Sequence, residues 1–116
     1  MGFHATTMLA YGIDLGEEQP PNVTEEQWEE IREEWGKDEI AARGYDIIIH
    51  CSYDYPMYFL AIPGTEKTAY QGYPKPVDYD DFNTFDHHLL ADFIHAMEKL
   101  GADTTNLGWH IMGVLG

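Results

Sequence analysis

A single cysteine, Cys51, is the whole thiol complement of the chain. It excludes an internal disulfide and any cysteine-rich zinc site, and it fits a reducing cytosol. Basic residues are nearly as scarce. Six Lys and Arg stand against 21 Asp and Glu, a net charge of −15. Proteins that grip DNA, RNA or an anionic membrane do so with Lys and Arg, so direct contact with any of these is not expected. Long apolar runs are missing too. None approaches the roughly 18 residues that a membrane helix needs. No basic segment followed by an apolar stretch opens the chain, so no signal peptide is expected. Asn22-Val23-Thr24 has the form of a glycosylation sequon, read as chance without a secretory signal. The expected location is the cytoplasm. No Gly-rich phosphate loop, nucleophile elbow or HExxH is present. Nothing here points to an enzyme or a cofactor.

What is there begins with 116 residues, 44% of them hydrophobic, enough for one domain with its own core. The stretch Tyr45–Ile62 holds two apolar runs, Ile47–Cys51 and Met57–Ile62, that read as a buried β-hairpin. A strand is expected over residues 3–15, a polar edge strand over Lys67–Gly72, and a last strand over Leu107–Leu115. The first helix has a clear start. Thr24 is an N-cap with Gln27 three residues on, a capping box. Val23 and Trp28 stand at the two positions of a hydrophobic staple, and Trp28, Ile31 and Trp35 share one face. Gly36 interrupts the helix, a further turn or two is expected over Lys37–Arg43, and Gly44 ends it. A second amphipathic helix carries Phe85, Leu89, Leu90, Phe93, Ile94, Met97 and Leu100, capped by Asn83 or Thr84 and stopped by Gly101. The expected fold is therefore α+β: an antiparallel sheet of four to five strands, two helices on one face, and the ferredoxin-like β-α-β-β-α-β order.

The strongest candidate site is the first helix. Residues 14–39 hold eleven acids and two bases. Glu25, Glu26, Glu29, Glu30, Glu33 and Glu34 fall within ten residues, about 15 Å of helix. That is roughly one charge per 2.5 Å, against about one per 1.7 Å in duplex DNA. Such crowding costs stability, because like charges one turn apart repel, and Arg32 is the sole local relief. The plain alternative is an ordinary solvated face. A second acidic patch, Asp78, Asp80, Asp81 and Asp86, sits among Tyr73, Tyr79 and Phe82, with the first three as the candidate contacts. It departs from a calcium loop, with Leu89 where a bidentate Glu is needed, and its plain alternative is a helix-capping loop. Seven of the eight tyrosines lie between residues 45 and 79. Tyr is favoured at interfaces, so the hairpin tip Tyr53-Asp54-Tyr55 joins the candidates, with ordinary turn packing as its alternative.

Three further constellations carry weaker signals. His50-Cys51 invites thiol chemistry, but neighbours on a regular strand point to opposite faces, and Cys51 reads as a small buried hydrophobe. His88, Asp92 and His95 share a helix face at spacings that suit metal ligands, yet the face reads as solvated, and no metal is expected. Tyr70, Tyr73, Trp109 and His110 would line a ligand cleft if the sheet exposed one.

The opening TMLAYGIDLG, the mid-chain HCSYDYPMYFLAI and the acidic helix between them resemble small acidic accessory proteins of tailed bacteriophages. The resemblance implies an inhibitor that blocks a defence or nucleic-acid-processing protein in the host cytoplasm. The expected partner is a basic host protein surface. Two alternatives stay open: a small-ligand-binding or small enzymatic ferredoxin-like domain, and a structural module forming a homodimer through an edge strand.

Overall fold

The computed structural model describes residues 5–33, 43–52, 54–70, 73–77, 82 and 86–115. Five strands and two helices follow in the order β1 (Ala5–Gly16), α1 (Glu25–Glu33), β2 (Asp46–Ser52), β3 (Pro56–Ala61), β4 (Lys67–Tyr70), α2 (His87–Leu100) and β5 (Gly108–Leu115). The fold is α+β, as expected.

β1 organises the sheet. One edge pairs antiparallel with β5, from Ala5↔Leu115 to Gly12↔Gly108. Gly12 also pairs with Ala61 of β3, so β3 must lie on the opposite edge. β4 shares that edge further along, through Thr6↔Tyr70 to Leu9↔Lys67. β3 and β4 thus follow one another along β1, parted by a turn at Pro63-Gly64. Thr65 repairs the gap. Its Oγ1 accepts from the Tyr11 amide at 3.3 Å and donates to the Ile62 carbonyl at 2.7 Å. This leaves the only buried polar side chain of the described core satisfied in both directions.

The sheet departs from expectation in one respect. β2 and β3 form the antiparallel hairpin, but the end of β2 also pairs in parallel with β5, through Cys51↔Val114 and Ser52↔Leu115. The strand order is β3-β2-β5-β1-β4 with β3 joined back to β1. The sheet is therefore mixed, not purely antiparallel, and its pairings close a ring of β1, β5, β2 and β3 where an open ferredoxin-like sheet was expected. Closure requires small residues at the seam. A side chain at Gly12 would collide with the Leu60 carbonyl, so glycine lets β1 and β3 approach there.

Two cores result from the two faces of the ring. Outside, Ile13, Tyr58, Leu60 and Ile62 meet Trp28 of α1 and Phe93, Met97 and Leu100 of α2. Inside, Ala10, Ile48, Phe59, Ala61 and Met112 pack together. Phe59 takes the edge of His110 at a centroid distance of 5.0 Å.

The helix ends follow local chemistry. Thr24 Oγ1 accepts from the Gln27 amide at 3.1 Å, and Gln27 Oε1 accepts from the Thr24 amide at 2.9 Å. Both halves of the capping box are present. For α2 the expected caps give way to Asp86, whose side chain accepts from the His88 amide. Asn83, Thr84 and Phe85 lie outside the described residues. Gly101 ends α2 at φ 72°, the left-handed conformation that glycine adopts without steric cost. The expected continuation of the first helix toward Gly44, with Trp35, also lies outside the described residues.

Candidate functional site

Trp28 sets the orientation of α1. It is 3% exposed and takes Tyr58 edge-on at 5.4 Å. With that residue buried, helical geometry turns Glu25, Glu26, Glu29, Glu30 and Glu33 to solvent, and all five are exposed. Four of them, Glu26, Glu29, Glu30 and Glu33, border one shallow concavity. Glu34 lies outside the described residues.

Arg32 does not relieve this charge, contrary to expectation. Its guanidinium turns toward the core, donates from Nη1 to Tyr58 Oη at 3.2 Å and lies 5.4 Å from the centre of the Tyr58 ring. The buried Tyr58 ring is a better site for this stem than open water, because it takes both the apolar chain and the planar cation. None of the five exposed glutamates hydrogen-bonds or ion-pairs through its carboxylate among the described residues. The face is an anionic strip along one side of the helix, without an ion pair among the described residues.

A second acidic concavity was not foreseen. Asp14, Glu18 and Asp103 come together around Pro21 and Asn106. Asn106 builds it by acting as a stand-in peptide: its Oδ1 accepts from the Asp14 amide at 3.1 Å and its Nδ2 donates to the Asp14 carbonyl at 3.2 Å. Asp103 is held below the usual carboxylate range by hydrogen bonds from Thr105 and stays ionised. Asp14 also meets His50, Nε2 to Oδ1 at 3.3 Å. No sequence signal predicts this patch, since its members are separated by up to about ninety positions. Of the expected second patch, Asp78, Asp80 and Asp81 lie outside the described residues, and Asp86 is the cap of α2.

At the hairpin tip, Tyr53 lies outside the described residues. Asp54 is exposed, and Tyr55 is 72% exposed with its amide tied to Ser52 Oγ at 3.1 Å. Nothing in the described contacts joins this tip to α1.

The remaining constellations are separated rather than assembled. His50 engages Asp14. Cys51 is only half-buried and has φ 73°, so regular alternation stops there and the buried-hydrophobe reading is corrected. Trp109 packs on Tyr11 and Phe82, His110 on Phe59, and Tyr70 and Tyr73 are exposed. Those four do not share a cleft. Among the described residues no group of three His, Cys, Asp or Glu is placed to hold a metal ion. No helix of the described residues is long and apolar enough to cross a membrane.

Comparison with protein-family models, with curated proteins and with solved structures finds no match to this chain.

Proposed function

We propose that this chain is a non-enzymatic binding protein of phage type, an inhibitor that occupies a basic, nucleic-acid-binding surface of a host defence or nucleic-acid-processing protein. The observation that carries this reading is the anionic strip of Glu25, Glu26, Glu29, Glu30 and Glu33, unpaired among the described residues because Arg32 is drawn onto Tyr58. Keeping like charges at one-turn spacing costs a few tenths of a kcal/mol per pair. A helix needing only solubility would mix signs. An array of fixed carboxylates suits a surface built to receive phosphates, and opposite fields speed the encounter.

The Asp14, Glu18 and Asp103 patch adds a separate acidic surface. The antiparallel run β5–β1–β3–β2 supports a finer reading of the frame as a split βαβ unit whose outer strands have met.

The reading is tested by capture from a bacterial lysate on the immobilised protein. A column carrying Glu29→Lys, Glu30→Lys and Glu33→Lys serves as the control. The expected result is a basic nucleic-acid-binding protein that elutes with salt, competes with duplex DNA and is missing from the control. Retention of the same protein by both columns would overturn it.

A further inference from the structure

A third concavity has the opposite chemistry to the two acidic ones. It lies where Arg43, Gly44 and Tyr45 lead into β2 against the last two turns of α2, with a volume of about 430 Å³. That is within the range of small-molecule sites, roughly 300–1,000 Å³. Gly44 makes the approach close. At φ 86°, a side chain there would stand 3.1 Å from the Asp92 carbonyl and against the Ala96 methyl. The floor is apolar: Tyr45, Ala96 and Leu100 are 5%, 8% and 7% exposed.

The rim brings together Arg43, His95 and Lys99. The chain has only six Lys and Arg, and two of them border this one cavity. Arg43 is pre-set. It donates from Nε to the Tyr45 carbonyl at 2.9 Å and from Nη1 to the Ile31 carbonyl at 3.0 Å, over the Tyr45 ring at 4.7 Å. A cation already held in place loses little freedom on binding. His95 and Lys99 are one turn apart on α2, and neither side chain has a hydrogen bond or ion pair among the described residues. Among the described residues that line the cavity, Asp92 is the one acid.

We propose that this cavity binds a small organic oxyanion, a carboxylate or a phosphate monoester. Its charged end would sit among Arg43, His95 and Lys99, and its apolar body against Tyr45 and Leu100. Asp92 on the same rim disfavours a second negative group and suits a ligand hydroxyl or amine. None of the five described α1 glutamates borders this site.

The test is an amide-shift titration of the ¹⁵N-labelled protein with benzoate, phenyl phosphate and uncharged benzyl alcohol. Saturable shifts at Gly44, Tyr45, His95 and Ala96 are expected with at least one of the two anions and not with the alcohol. The stronger anion identifies the oxyanion class. Lys99→Ala should weaken that anion about fivefold, the factor of one partly exposed charge contact, and Lys99→Arg should retain it. The Glu29, Glu30 and Glu33 reversals should leave the titration unchanged, which separates this site from the α1 reading. Absence of saturable shifts with both anions, equal shifts with the alcohol, or undiminished affinity in Lys99→Ala would overturn the proposal.

Discussion

Glu66 shows how much one carboxyl can depart from its neighbours in so acidic a chain. Its Oε1 is buried without a hydrogen-bond partner. Burial, and then the Asp46 carboxyl beside it, push its pKa up from 4.5 to about 8. The folded state therefore holds a proton that the unfolded state has released. Stability is full below the unfolded value near 4.5 and is lost as pH rises toward about 8. Glu66→Gln keeps the shape and removes the ionisation. Its urea midpoint should match the native protein at low pH and exceed it at pH 8. Coincident midpoints at both would show that the carboxyl is solvated. This pair is invisible in the sequence, because Asp46 and Glu66 meet only through the Asp46↔Ala61 register and the turn after it. The inward turn of Arg32 is hidden for the same reason: a helical wheel places its Cα but does not supply the Tyr58 ring that draws it away.

At the scale of elements, local chemistry carries far. The Thr24–Gln27 box is legible because both partners lie three residues apart. Thr24→Ala should cost about 1 kcal/mol, read as a lower thermal midpoint. The two apolar runs of the hairpin, the buried Trp28 and the Gly101 stop are legible in the same way. The cap of α2 is less so, since Asn83, Thr84 and Asp86 all offer capping side chains within four positions. Ring closure is not legible at all. The contact of Cys51 and Ser52 with Val114 and Leu115 joins strands more than sixty residues apart in sequence, and no periodicity encodes it. Gly12 is its clearest local trace. Gly12→Ala should destabilise the protein by ~2–3 kcal/mol through overpacking against the Leu60 backbone. Chemical denaturation measures this, and a change under 0.5 kcal/mol, the usual bound for neutral surface positions, would contradict the seam.

For the whole molecule, charge and fold divide the work. The ring and its two cores supply rigidity, and α1 stands against the outer core with its carboxylates turned to water. The acidic character of α1 is legible from composition alone, whereas the Asp14, Glu18 and Asp103 patch and the cationic cavity at Arg43, His95 and Lys99 exist only once the chain is folded. On the proposed function, the field of the acidic strip drives association. The most direct measurement is the association rate of the captured basic partner as a function of ionic strength, for the native protein and for the Glu29→Lys, Glu30→Lys, Glu33→Lys variant. The account predicts a rate for the native protein that falls steeply with salt, and a slow, nearly salt-independent rate for the variant. A native rate that is flat with salt, or a variant that binds as fast as the native protein, would contradict it.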